Sequence, residues 1–271
     1  MPNPSEYNTI RINAAEWIRT AGEIARERFG HAVASRKADR SVVTDADYAV
    51  QEALLDAIAR DYPADAVISE ETQPHPQRHA DVKRAKRCWI VDPIDGTRNY
   101  SRAYPSFAVA VALMEAGSPV VGFVYEPMTG QLYSAAAGGG AWLNDTRIQV
   151  VDEPLRGRSI IGMPSSRKGA LNGVVHDWID RMIMRNAGTT ALHLAYLACG
   201  AMDAVYCDDC KLWDIAAGFL LVAEAGGRVI RLDGAEYFPM DLAGYTDGQM
   251  PFLAAAPGVL NQLCDEFNRK E

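Results

Sequence analysis

The chain has no long hydrophobic run. Its longest apolar stretches, Phe107–Met114 and Ile215–Ala223, cover eight and nine residues, where a membrane-spanning helix needs about 20. It has no excess of positive charge: 27 Lys and Arg face 35 Asp and Glu, for a net charge of −8. Such a surface disfavours nucleic acid and anionic membranes, and a polyanionic ligand needs a local cationic site. The start, Met1-Pro2-Asn3-Pro4-Ser5-Glu6, lacks the cationic segment and apolar core of a secretory signal. The five cysteines are odd in number, and several sit among apolar residues, which argues against a disulfide framework. These absences predict a reduced cytoplasmic protein with no membrane or nucleic-acid partner.

Several catalytic patterns are missing too. The histidines (His31, His75, His79, His176, His193) form no triad pattern, and there is no Gly-x-Ser-x-Gly element, so serine-nucleophile hydrolysis is not expected. Gly138-Gly139-Gly140 lacks the following Lys-Ser/Thr of a P-loop and reads as a turn. Cys207-Asp208-Asp209-Cys210 has the spacing of redox and zinc sites, but zinc requires two more ligands. The nearest candidates, His193 and Cys199, fall on a predicted apolar helix, so a structural or substrate-loop role is the expectation. The basic run Arg78–Arg87 has no interleaved aromatics and reads as a solvated segment before a strand. No internal repeat or low-complexity tract is present.

What is present is ordinary globular sequence, 48% apolar and 23% charged over 271 residues, enough for a substantial core. Ile10, Ala14, Trp17, Ile18, Ala21, Ile24 and Ala25 predict a helix over 8–29, ended by Gly30. A second helix starts at Thr44, with Val50, Ala53, Leu54, Ala57 and Ile58 on one face. Strands are expected at Ala66–Ser69, Arg87–Val91, Phe107–Glu115, Val120–Tyr125 and Gln131–Ala136. After residue 152 the rhythm changes. Short strands (Ser159–Met163, Asp203–Tyr206, Gly227–Ile230, Phe252–Ala255) alternate with helices (Asn172–Met182, Leu192–Cys199, Trp213–Glu224, Pro257–Asn268). The pattern predicts mixed α+β and α/β layers, with residues 1–152 and 153–271 as two halves.

The densest chemical signal is Asp92-Pro93-Ile94-Asp95-Gly96-Thr97, directly after the apolar Cys88-Trp89-Ile90-Val91. Two carboxylates and a hydroxyl at a strand's exit make an oxygen-rich cradle of the kind hard cations such as Mg²⁺ prefer. Glu70-Glu71 and Trp213-Asp214 are further acidic elements, each at the end or start of a predicted element. Plainer readings exist. Thr44 followed by Asp47 is also a helix N-cap with an acidic third residue, Glu70-Glu71 also a solvated turn, and Asp214 also a favourable first-turn acid.

Val43-Thr44-Asp45-Ala46-Asp47, Ser69-Glu70-Glu71-Thr72, Trp89 through Tyr100, Gly188-Thr189-Thr190-Ala191 and Trp213 through Gly218 together resemble the inositol monophosphatase family. This family belongs to the wider Mg²⁺-dependent, lithium-sensitive phosphatases, which include fructose-1,6-bisphosphatases and 3′-nucleotide phosphatases. The resemblance runs from about residue 8 to 268, in order. It implies a layered αβαβα sandwich, usually in a homodimer, with two or three Mg²⁺ per active site. It also implies metal ligands: Glu70, Asp92, the Ile94 carbonyl and Thr97 around one ion, and Asp92, Asp95 and Asp214 around a second. Glu70 would also face a weaker third ion, with Glu71 supporting the shell. Thr97 and Asp47 would orient and deprotonate the attacking water, and the N–H groups of Gly96 and Thr97 would hold phosphate. The substrate contacts implied are Asp95, Gly96, Thr97, Gly188, Thr189, Thr190, Cys207 and Asp214.

The expected reaction is hydrolysis of a small phosphate monoester, inositol-1-phosphate-like or a related polyol or sugar phosphate. Inositol-preferring members carry a Glu seven residues before the Trp-Asp aspartate; here Cys207 stands there, followed by Asp208 and Asp209. Histidinol phosphate and nucleotide 3′-phosphates are the alternatives within the family. A catalytically silent binding or regulatory protein is the alternative outside it.

Overall fold

A computed structural model describes residues 3–37, 41–71, 82, 85–164 and 173–268. Most of the basic run Arg78–Arg87 lies outside the described residues, as do His75, His79 and Thr72. The N-terminal elements are α1 (Pro4–Arg28), β1 (Ala34–Arg36), β2 (Val42–Thr44), α2 (Asp45–Asp61), β3 (Ala66–Ser69), β4 (Arg87–Asp95), the single turn α3 (Thr97–Tyr100), β5 (Ala108–Glu115), β6 (Ser118–Glu126), β7 (Gln131–Ala136), β8 (Gly140–Leu143) and β9 (Thr146–Ile148). The rest are β10 (Ile160–Gly162), α4 (Gly173–Arg181), β11 (Ile183–Arg185), α5 (Thr190–Ala198), β12 (Ala204–Cys207), α6 (Leu212–Glu224), β13 (Arg228–Arg231), β14 (Phe252–Ala255) and α7 (Pro257–Asn268).

Strands β3 to β9 form one seven-stranded sheet in sequence order, antiparallel except for β3 with β4. A second sheet has the order β11-β10-β12-β14-β13. Side-chain alternation along the strands sets the layers. On β5, Val109, Val111 and Leu113 pack with Ile10, Ile18, Leu54 and Ile58 of α1 and α2. The intervening Ala108, Ala110 and Ala112 face Leu194, Ile215 and Leu221 of α5 and α6. From the second sheet, Val205 and Cys207 join that same inner cluster. Ala204 and Tyr206 point the other way, to Trp178 of α4 and Leu263 of α7. The result is α1/α2, sheet, α5/α6, sheet, α4/α7: the five-layer αβαβα order.

Small residues let the inner helices approach. At Gly122 on β6, an added Cβ would lie 2.9 Å from the Ala217 carbonyl oxygen on α6. Any larger residue would push α6, and Asp214 at its start, off the sheet. The observed elements extend several expectations. Helix α1 begins at Pro4 because Asn3 caps it, its side chain accepting from the Glu6 N–H. The three-residue strands β1, β2, β9 and β11 and the four-residue β8 carry too few residues for a visible period. No helix among the described residues is long and apolar enough to cross a membrane.

Candidate functional site

Strand β4 runs through Pro93 to Asp95, beyond the Val91 end that its apolar run suggests. Residues three apart on a regular strand face opposite sides of the sheet. Here Asp92 pairs with Ala110 and Asp95 with Ala108, so three steps on β4 match two on β5. This β-bulge turns both carboxylates to the same side. Gly96, at φ +96°, then reverses the chain and starts α3. Left-handed backbone of this kind favours glycine.

Asp92, Asp95 and Asp214 each present a carboxylate oxygen to a common point, the three atoms within 4.8 Å of one another. Asp92 is 1% exposed, and neither of its oxygens has a hydrogen-bond partner. Asp95 Oδ2 accepts from Thr189 Oγ1 at 2.5 Å and from the Ala191 N–H at 2.6 Å, which ties the start of α5 to the cluster. Asp214 is the third residue of α6, and its Oδ2 accepts from the Lys211 N–H at 2.7 Å. Burial pushes the pKa of all three carboxyls above the usual range, and repulsion among the cluster's acids adds to it. Acids held this way, in an oxygen-only donor set with an uncompensated member, fit a hard divalent cation.

Asp47, fully buried, does two jobs at the start of α2. Its Oδ2 accepts from the Thr44 N–H at 2.8 Å and the Thr44 hydroxyl at 2.5 Å, while Oδ1 lies 3.2 Å from Thr97 Oγ1. Burial pushes its pKa up to about 6, against the lowering effect of the Thr44 bonds. The Thr97 hydroxyl also lies 2.9 Å from the Ile94 carbonyl, so its one proton chooses between two acceptors.

Glu70 and Glu71 share a cation that the motifs do not announce. Lys37 Nζ lies 3.2 Å from Glu70 Oε1 and 2.5 Å from Glu71 Oε1. Burial works against this ammonium, but the two glutamates outweigh it and hold its pKa above the usual lysine value. Burial, then Glu70, lifts the Glu71 carboxyl to about 7. The Glu71 carbonyl accepts from Gln51 Nε2 at 2.5 Å, and Gln51 Oε1 in turn accepts from the Ser69 hydroxyl.

Gly188, Thr189 and Thr190 lie against the cluster through Thr189. The loop is held from two further sides. Asn99 Nδ2 donates to the Ser106 and Ala187 carbonyls, both at 2.8 Å. The Ala187 N–H donates to Nε2 of buried His193 at 2.8 Å. Cys207 is buried at the end of β12, its sulfur 4.0 Å from Thr190 Oγ1. Cys210 donates to the Met250 carbonyl at 3.0 Å. Among the described residues, the only convergence of three His, Cys, Asp or Glu ligand atoms is the Asp92–Asp95–Asp214 cluster. Lys37 and Gln51 escape sequence reasoning because their partners are distant in the chain, His193 because its partner is a backbone N–H that no motif marks, and Asn99 stands inside a motif without declaring its role.

Known proteins place this arrangement. Residues 6–261 match the family model described as the inositol monophosphatase family. The chain is 31% identical to Nus factor SuhB of Pasteurella multocida over 270 residues, covering 95% of this chain and 94% of that one. It is 34% identical to an inositol-1-monophosphatase of Mesorhizobium japonicum over 208 residues, covering 74% and 76%. The crystal structure of the extragenic suppressor protein suhB from Bartonella henselae superposes with a TM-score of 0.82 at 26% identity, covering 96% and 99%. The chain belongs to the inositol monophosphatase family.

Proposed function

We propose that the protein is a Mg²⁺-dependent phosphoric monoester hydrolase acting on a small polyol or sugar-type phosphate. The observation that carries this reading is Asp92: a buried carboxylate with both oxygens unbonded, beside Asp95 and Asp214. A scaffold gains nothing from such an uncompensated charge, which costs several kcal/mol by order of magnitude. Asp92, Asp95 and Asp214, with Glu70, the Ile94 carbonyl and Thr97, would hold the ions. Bound Mg²⁺ supplies positive charge that draws in the phosphate and offsets charge built up during hydrolysis.

The chain's own groups do the rest. Thr97 Oγ1 orients the attacking water, and Asp47 Oδ1, 3.2 Å away, draws the proton passed through that hydroxyl. A carboxyl lifted towards neutral pH suits such a base. The N–H groups of Gly96 and Thr97 cradle phosphate oxygens at the turn into α3. Gly188, Thr189, Thr190 and Cys207 face the alcohol part. Cys207 supplies no carboxylate acceptor for a ring hydroxyl, so selectivity for inositol depends on whether Asp208 or Asp209 takes that role.

A second reading, a binding protein on the same fold, draws on the relatives named Nus factor SuhB. Phosphate release from a panel of monoesters (inositol 1-phosphate, glycerol 2-phosphate, sugar phosphates, histidinol phosphate, nucleotide 3′-phosphates), with Mg²⁺ and with chelator, separates the two. Mg²⁺-dependent release supports the hydrolase. Release from no member favours the binding protein.

A further inference from the structure

An acidic protein keeps three arginines around one cavity. Arg36, Val42, Arg98, Asn99, Ser101 and Arg102 line a space of about 450 Å³ between the β1–β2 hairpin and α3. Arg98 and Arg102 stand four residues apart along the helical turn and its continuation, a spacing at which like charges repel. Arg36 brings a third guanidinium from the hairpin. All three are exposed, and among the described residues no carboxylate pairs with any of them. Other arginines here do find acids: Arg28 with Asp45, Arg87 with Asp65 and Glu6, Arg181 with Glu266. Three cations lining one cavity, with no paired carboxylate among the described residues, in a chain of net charge −8, form a local field of the opposite sign, the condition for capturing an anion.

The cavity borders the candidate site. Arg98 directly follows Thr97, and Arg36 directly precedes Lys37, the partner of Glu70 and Glu71. Asn99 lines the cavity and also binds the Ala187 carbonyl of the loop that holds Thr189. Guanidinium forks match phosphate and carboxylate oxygens pairwise, which gives such a cavity its chemistry.

We infer that Arg36, Arg98 and Arg102 form a binding site for a second anionic group, phosphate or carboxylate, apart from the phosphate undergoing hydrolysis. Two sources share this chemistry: a second acidic group on the substrate, which rests on the hydrolase reading above, and a separate small dianion, which does not. The test compares wild type with Arg98→Gln/Arg102→Gln.

In the first arm, sulfate is titrated calorimetrically into chelator-treated protein at low ionic strength. Without metal the carboxylate cluster repels anions, so the heat reports the arginine cavity. Wild type is expected to bind sulfate, and the double variant to bind it about tenfold more weakly or not at all. In the second arm, kcat/KM is measured with Mg²⁺ for the matched pair glucose 1-phosphate and glucose 1,6-bisphosphate, with p-nitrophenyl phosphate as control. A preference for the bisphosphate that falls about tenfold in the variant, with the control unchanged, assigns the site to the substrate. Loss of sulfate binding without a changed preference assigns it to a separate anion. Unchanged sulfate binding together with an unchanged preference overturns the inference. If neither protein turns over any substrate, the hydrolase reading fails while the sulfate arm alone decides the site.

Discussion

Thr97 Oγ1 lies 3.2 Å from Asp47 Oδ1, although fifty residues of chain separate them. The contact joins the turn after β4 to the start of α2, and the proposed role of Asp47 as the base rests on it. Asp47→Asn keeps the shape and most of the helix cap but removes the base. The expected result is a kcat lower by about 10²–10⁴-fold, with Mg²⁺ affinity nearly unchanged because Asp47 stands outside the three-aspartate cluster. Steady-state kinetics with a Mg²⁺ titration check both halves. Thr97→Ala should match it in kcat, and the double variant should fall little further, because the two act as one unit.

Asp92 predicts a trade of function for stability. Asp92→Asn removes a buried carboxyl whose ionised form burial and the neighbouring acids disfavour. In chelator at alkaline pH, where wild type must carry that charge, the variant should therefore melt higher; for a chain of this size, 1 kcal/mol is worth about 2–4 °C. It should also lose the melting-temperature rise that Mg²⁺ gives wild type. Thermal melts with and without Mg²⁺ measure both effects.

Much of this was legible in sequence. The Asp92–Thr97 element, Glu70-Glu71, Asp214 and the layered fold are all visible there, because metal chemistry and core periodicity depend on residue type and spacing. The bulge was not: an aspartate three residues from another on a strand ordinarily faces away, and only the pairing with Ala108 and Ala110 shows otherwise. Asp47 and Asp214 teach a related lesson. Each is the third residue of a helix and bonds the residue three before it, so the plain capping reading is correct. Asp47 nevertheless spends its second oxygen on Thr97, and Asp214 reaches the cluster. Lys37 was hidden because its two glutamate partners come from a loop more than thirty residues away.

Asn99 should matter to substrate binding more than to chemistry. Asn99→Ala removes one hydrogen bond within the β4–β5 connection, to the Ser106 carbonyl, and one from it to the Ala187 loop. A loss of about 1–3 kcal/mol in stability and a raised KM with a smaller change in kcat are expected. Denaturant unfolding and kinetics on the best substrate check this.

His193 makes stability depend on pH. Burial pushes its pKa down from 6.5 to about 4, and as a neutral ring it accepts the Ala187 N–H. The unfolded chain takes up the proton first, so this contribution is complete above pH 6.5 and is lost as pH falls through about 4. The full loss is about 3 kcal/mol. His193→Gln cannot show it. The stability gap between wild type and variant should narrow by up to that amount on acidification, as read from urea unfolding at each pH.

The account's central claim is that Asp92, Asp95 and Asp214 converge to hold divalent cations. Crystals grown with Mn²⁺ as a magnesium substitute, with diffraction collected near the manganese absorption edge, test it directly. An anomalous peak within ligand distance of all three carboxylates is the predicted result. A map with the manganese elsewhere, or none between these aspartates at saturating Mn²⁺, would contradict it.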